Sequence, residues 1–303
     1  GLGYDPDGNS GELYKKYWQG GEKLHVIGKD IARFHTIYWP IFLMALGEPL
    51  PDHVFAHPWL LQGGEKVSKS RGNVVSPDDY VGKYGSDAFR LYLMFGFSYV
   101  EGGPWNSNGL ESIVKFMERV ERLVKRSIDN GVKEGCFTEA EKALNFVRHN
   151  TIRRVTDDTK QFSFNTAIAR IMDFVNATYK YLDGGNKVND KFVRECVEDL
   201  VLMMAPFAPH FAEELNEMLG HKESVFNRSY PVCDQKALVL DEYELAVQVN
   251  SRMKAKIVVP VDADENAIRE TALANEQVKQ AVGDMNVVKV IVIPKRLVNI
   301  FVK

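Results

Sequence analysis

Cysteine is scarce: three residues, Cys136, Cys196 and Cys233, stand far apart in 303 positions and none forms a C-x-x-C pair. That excludes a disulfide framework and a zinc or redox site of that spacing, and the thiols are expected to pack as small hydrophobes. Long apolar runs are missing too. No stretch of eighteen uncharged apolar residues occurs, and the glycine-rich opening GLGYDPDGNSGE lacks the basic and apolar regions of a signal peptide. Neither membrane insertion nor secretion is indicated, and a cytoplasmic setting fits. Charge of one sign is also lacking: the formal net charge is −3, so any nucleic-acid contact must come from local basic patches. Internal repeats and low-complexity tracts are absent. The first residue is Gly and not Met, inside a loop-like stretch, which predicts a fragment beginning within a larger protein.

What is present suffices for two or three packed domains, with 45% hydrophobic and 26% charged residues. KLHVIG (23–28) reads as a strand, and IARFHTIYWPIFLMAL, apolar on nearly every side, predicts a buried helix that Pro40 restarts or kinks and Gly47 ends. VFAHPWLL predicts one buried strand, broken by Gly63-Gly64 before a basic loop. Ser76-Pro77-Asp78-Asp79 has the capping hydroxyl, early proline and acids of a helix start, and Ser86-Asp87 opens another helix. From about 108 to 219 amphipathic helices follow one another, for example with Ile113, Met117, Val120 and Val124 on one face. Within this region APFAPHF reads as a helix bent by two prolines, with His210 hydrogen-bonded in the core. After Pro231, ELAVQVNSRMKAKIVVPV alternates around the turn Asn250-Ser251-Arg252, as a hairpin does. One helix over about 265–282 and two strands joined by Pro294-Lys295-Arg296 complete an α+β module.

Chemistry concentrates in Lys66-Val67-Ser68-Lys69-Ser70-Arg71-Gly72-Asn73. Three cations, two hydroxyls and a glycine between a strand and a helix suit phosphate oxygens, because ammonium groups neutralise charge that builds on a departing pyrophosphate. A solvated basic turn is the other reading, and composition alone leaves both open. No side chain stands out as a covalent nucleophile.

This string resembles the Lys-Met-Ser-Lys-Ser signature of class I aminoacyl-tRNA synthetases, with Val67 in place of methionine and the helix entry GNVV-x-P-D-D-Y after it. The resemblance implies that Lys69 assists pyrophosphate departure, that Lys66 supports the same site, and that Ser68 and Ser70 belong to the catalytic loop. Upstream, HVIGKDIARFHTIYWPIFLMALGEPLP with VFAHPWLL resembles methionyl-tRNA synthetases over about residues 3–87. It implies that Gly28 and Asp30 lie by the adenosine ribose of ATP, with Lys66 and Lys69 on its phosphates, and that Ile31 and His35 line the amino-acid pocket. Periodicity by itself would place Ile31 and His35 in a helix core. From residue 88 onward EGGPWNSNGLESIVKFMERVERLV, FSFNTAIARIMDFVN, APFAPHFAEELNEMLG, QVNSRMKAKIVVPVDAD and KVIVIPKRLVNIFVK resemble leucyl-tRNA synthetases, in that order.

The implied architecture is mixed: the end of a Rossmann-type α/β catalytic domain (1–87), an all-α anticodon-binding bundle (88–232) and a small C-terminal α+β module that touches tRNA (233–303). The implied activity is an aminoacyl-tRNA ligase, leucine-type by extent of resemblance and methionine-type by pocket residues, with ATP, Mg2+, an amino acid and tRNA as partners. No His-x-Gly-His string occurs. The chain by itself is therefore expected not to form an aminoacyl-adenylate, and the missing N-terminal half of the synthetase is its expected partner. A non-catalytic tRNA-binding module working with a partner chain is the alternative. Phosphate contacts are expected from Arg252, Lys254 and Lys256, which alternation would put on one face, and from Lys295 and Arg296. In the bundle, Arg119, Arg122, Lys125 and Arg126 are further candidates. No metal-ligand set stands out.

Overall fold

Two parallel strands open the described architecture after the short helical turn α1 (Glu12–Tyr14): β1 (Leu24–Gly28) lies beside β2 (His53–His57), with Leu24 opposite His53 and Gly28 opposite His57. The computed structural model describes all residues except 68–75, 107–108, 186–187, 240–241, 261–262, 284 and 294–295, and it divides into the units 1–233 and 234–303, each described by itself. Parallel pairing requires a crossover, and the apolar segment after β1 supplies it. It runs through a 3-10 turn (Lys29–Ile31), a wide π-turn (Phe34–Tyr38) and α2 (Trp39–Leu46). Pro40, which has no N–H to give, falls in the first turn of α2 directly after the π-turn, so the irregularity expected there is present.

Burial of that crossover is not observed. Phe34, Ile41, Phe42, Met44 and Leu46 are each more than half exposed, and Leu43 alone of α2 is buried. An all-round apolar helix needs cover on every side, and the described residues provide it on one. VFAHPWLL also divides, since Pro58 cannot donate to a ladder. β2 ends at His57, and Leu60–Gln62 (β3) joins a different sheet. There β3 pairs antiparallel with β4 (Glu65–Lys66) through Gly63 and Gly64, both at positive φ, and parallel with β5 (Gly103–Pro104).

Beyond the basic loop, α3 (Pro77–Tyr84) begins without a side-chain cap from Ser76, so Pro77 and the acids Asp78 and Asp79 mark its start. Next come α4 (Ser86–Phe95) and the long helices α5 (Gly109–Asp129), α6 (Glu139–Lys160), α7 (Phe164–Asp183) and α8 (Asp190–Met204), then α9 (Pro209–Met218). Their apolar stripes, among them Leu110, Ile113, Val120, Val124, Ile168, Ile171, Phe174, Val197 and Leu200, merge into one core. Cys196 packs there as expected, whereas Cys136 is exposed in an irregular segment.

Pro206 and Pro209 separate α8 from α9 instead of bending one helix. The backbone groups released at this break are met by α4: Arg90 donates to the Pro206 and Phe207 carbonyls, and the buried Asp87 accepts from the Phe211 N–H at 2.6 Å. His210 donates to Asp87 at 3.0 Å with its side chain 81% exposed, so it is a surface partner of that carboxylate and not a core residue.

In the second unit, β6 (Glu242–Val249), β7 (Arg252–Pro260), β8 (Val287–Ile293) and β9 (Leu297–Val302) form a sheet in the order β7-β6-β9-β8. Leu245, Val247, Ile257, Val259, Val298 and Ile300 pack with Ile268, Ala272 and Val278 of two helices. Those helices, α10 (Glu265–Ala274) and α11 (Glu276–Val282), replace the single helix expected. Asn275 is extended between them, and its side chain caps α11 by accepting from the Gln277 and Val278 amides.

Candidate functional site

Ligands of open parallel sheets bind outside the carboxyl ends of the strands, and here those ends carry Gly28 and His57. Gly28 is extended, and the space a Cβ would take is empty to 4 Å, so a ligand can approach the backbone closely. Asp30, in the turn that follows, accepts a hydrogen bond from the Trp59 indole at 3.0 Å, and the Lys29 ammonium sits 3.7 Å from the centroid of the same ring. Trp59 thus holds a carboxylate and a cation beside the strand ends. Sequence reasoning passed over it, since a tryptophan after Pro58 reads as strand core. Its signal was position, immediately past a strand that ends at the crevice.

Ile31 and His35 lie on the next turn, where His35 Nδ1 donates to the Ile31 carbonyl at 3.0 Å. His35 lines a cavity of about 450 Å³ with His25, Phe34, Tyr38, Trp39 and Phe42, whereas Ile31 does not line it. Trp39 donates to His25 Nε2 at 3.0 Å, which fixes that nitrogen as an acceptor. Burial, and secondarily the neighbouring His35, lower the pKa of His25 and keep it neutral. The recess is lined mainly by aromatic rings and carries little charge.

Of the basic loop, Lys66 has its backbone in β4, opposite Leu61, while Ser68, Lys69 and Ser70 lie outside the described residues. The β3–β4 pair that launches the loop is braced by the segment before β5. Gly102 has φ +81°, and an added Cβ would fall 2.8 Å from the Trp59 carbonyl oxygen and 3.1 Å from Pro58. Gly102→Ala is therefore expected to destabilise the chain by about 1–3 kcal/mol. Thermal denaturation reads this, and an unchanged midpoint would count against so tight a brace.

The cations proposed for nucleic acid separate into two groups. In the bundle, Arg119 donates to Asn176, and Arg122, Lys125 and Arg126 pair with Glu118, Glu121 and Asp183. Each of the four has a side-chain partner on the bundle surface. In the second unit the turn Asn250-Ser251 has both residues at positive φ and Val249 faces Arg252. A register slip then puts Met253 opposite Gln248 but Ala255 opposite Val247. This bulge breaks the expected alternation: Lys256 shares the sheet face of Met253, whereas Arg252 falls on the side of Val249. Lys256 pairs with Glu244 at 2.6 Å, and Arg252 and Lys254 are exposed. Arg296 follows β8 in a turn, and Lys295 lies outside the described residues. Among the described residues no cluster of three or more His, Cys, Asp or Glu could hold a metal ion, and no helix is long and apolar enough to cross a membrane.

Comparison with known proteins accounts for most of the chain. Residues 4–128 match the family model "tRNA synthetases class I (M)", and residues 141–272 match "Anticodon-binding domain of tRNA ligase". A leucine–tRNA ligase of Clostridium tetani is 47% identical over 291 residues, covering 92% of this chain and 36% of its own length. One from Caldanaerobacter subterraneus subsp. tengcongensis is 44% identical and covers 99% of this chain and 39% of its own length. The chain thus spans well under half the length of these curated relatives. In structure it is similar to a leucyl-tRNA synthetase of Agrobacterium radiobacter K84 solved with tRNA and LeuAMS. The TM-score is 0.75 and the identity 29%, over 93% of this chain and 38% of that one. It is also similar to the methionyl-tRNA synthetase of Mycobacterium tuberculosis bound to methionyl-adenylate, with a TM-score of 0.61 and 27% identity, over 73% of this chain and 48% of that one.

Proposed function

The chain carries a class I tRNA synthetase segment followed by the anticodon-binding domain of the tRNA ligases, and from that premise we propose that it is the part of a leucine–tRNA ligase that closes over ATP and grips tRNA. The observation that carries this is the tandem order: strand ends bearing Gly28, Asp30 and Trp59 lead through β3 and β4 into the basic loop, and then into a helical bundle. In this reading Gly28 and Asp30 hold the ATP ribose. The amino-acid carboxylate attacks the α-phosphate, and Lys66 and Lys69 balance the charge of the departing pyrophosphate, with Ser68 and Ser70 in the same loop. The terminal ribose of tRNA then receives the aminoacyl group. Positioning and charge stabilisation do the work, so no side-chain nucleophile is required. Mg2+ would arrive with ATP, held chiefly by its phosphates and by water.

Methionine is a second reading. The aromatic recess with His25 and His35 favours it, as does the resemblance of residues 3–87, whereas the two leucine relatives named above match 92% and 99% of the chain. Pyrophosphate exchange with each amino acid, measured with the catalytic domain complete, decides between them. The apolar surface of the crossover supports a further point: additional polypeptide, joined to this chain or separate, covers α2 and the open edges of β1 and β2 to complete the catalytic sheet.

Binding of tRNA can be tested on this chain directly. With Arg252, Lys254, Lys256, Lys295 and Arg296 supplying several phosphate contacts, affinity for a leucine tRNA transcript is expected to fall about 10- to 100-fold between roughly 50 and 200 mM salt. Filter binding measures it, and a flat salt response or no binding would remove tRNA from the proposal.

A further inference from the structure

We infer that Phe162 is a positioning residue that couples the helical bundle to strand β2 of the catalytic portion, so that tRNA held by the bundle is sensed at the strand ends. The inference rests on the reading above that the chain binds tRNA.

Its starting point is a conformation. α6 ends in a Schellman turn, in which the Ser163 N–H donates to the Asp158 carbonyl (2.8 Å) and the Phe162 N–H to the Thr159 carbonyl (3.1 Å). The residue between, normally glycine, must be left-handed, and here it is phenylalanine at φ 57°. A bulky side chain at such a position is an outlier that neighbouring structure must hold in place. What the ring gains is contact across the unit: it stacks on Phe55 of β2 at 4.4 Å and 10° and lies parallel to Tyr99 at 6.3 Å and 11°. Phe164, the first residue of α7, meets it edge-on, and Tyr99 in turn meets His57 edge-on at 4.3 Å. One side chain at the α6–α7 turn therefore touches the middle of β2, two residues before His57 and four before Trp59.

The surroundings allow movement. A cavity of about 430 Å³, lined among others by Tyr99, Thr159, Phe164 and Phe207, lies beside the stack, and the buried Thr159 hydroxyl has no hydrogen-bond partner among the described residues. α6 and α7 are 22 and 20 residues long, stiff rods of roughly 30 Å. Displacement of either rod along its axis would move the turn that joins them, and at that turn the Phe162 ring stacks on Phe55 of β2.

Hydrogen exchange on the chain with and without unfractionated bacterial tRNA tests this. Phe162→Gly removes the ring and suits the backbone, so it folds; Phe162→Tyr keeps the ring. In the unsubstituted chain and in Phe162→Tyr, tRNA is expected to slow exchange of the amides of 53–57 by about fivefold or more. In Phe162→Gly, tRNA should bind within about twofold and protect the bundle while the β2 response is lost. A β2 response retained in Phe162→Gly, or absent from the unsubstituted chain despite bound tRNA, overturns the coupling alone. Failure of the unsubstituted chain to bind tRNA overturns the functional reading and the coupling together.

Discussion

Lys69→Ala, assayed with the catalytic domain complete, is expected to lower ATP–pyrophosphate exchange by about 10²–10³-fold, the usual effect of deleting one donor aimed at developing charge. Pyrophosphate carries more charge as it leaves than it does within bound ATP, so an ammonium placed on it acts chiefly on the transition state. Exchange should thus fall through kcat, with the KM for ATP moving far less. Lys69→Arg should recover only part of the rate, because a planar fork does not replace a compact ammonium. The melting temperature should not change, which separates lost chemistry from lost folding. Exchange that survives the alanine change would remove the loop from the catalytic machinery.

Glu198→Gln is expected to give the largest loss of stability. The Glu198 carboxylate, on α8, accepts from Arg194 at 2.9 Å, Arg228 at 2.8 Å and His221 at 2.8 Å, while Arg228 also donates to Asn216 of α9 at 2.6 Å. Arg194 reaches on to the Leu219 carbonyl. One carboxylate therefore ties α8, α9 and the segment after α9 together, with the side chains of Glu198, Arg194 and Arg228 each 18% exposed. Neutralising it strands two guanidinium groups in a poorly solvated site, which costs about 3–5 kcal/mol. The pH dependence follows. Burial raises the Glu198 pKa, but the hydrogen bonds from Arg194, Arg228 and His221 outweigh it, and the folded-state value lies below the ordinary one. A depressed carboxylate stabilises above its unfolded pKa of about 4.3 and loses that contribution as the pH falls through the folded value. Urea titrations from pH 7 to 3 should show the unsubstituted chain losing stability in acid more steeply than Glu198→Gln. Parallel curves would mean that the network is not what acid breaks.

Legibility in the sequence followed burial. The helices of the bundle could be read from their stripes because one face of each is buried and the other wet; Ile113, Val120 and Val124 fall where the 3.6-residue period puts them. The crossover after β1 misled because periodicity assumes a covered core, and the described residues cover α2 on one side only. Asn275 is an ordinary residue to a periodic reading, and only its cap geometry reveals a helix break. The slip near Lys254 leaves no mark in an alternating string, yet it moves Arg252 to the other side of the sheet. At the candidate site, Gly28, Asp30 and His35 emerged through family resemblance, while His25, Trp39 and Trp59 did not, since their roles depend on partners 14 or 29 positions away. Phe162 gave no signal at all: nothing in QFSF announces a left-handed phenylalanine.

The clasp between α4 and the α8–α9 break sets an order of events during synthesis. Asp87 and Phe211 are 124 residues apart, with four long helices between them, so α4 leaves the ribosome well before the backbone groups it is to satisfy. Until then the side of α4 that packs on α7 and α9 stays open, although Tyr92 is sheltered early by Trp105 and the Asn106 amide. The nascent chain is most open to aggregation and chaperone capture in that interval, and closure over so long a loop is expected to be the slow step that ends it.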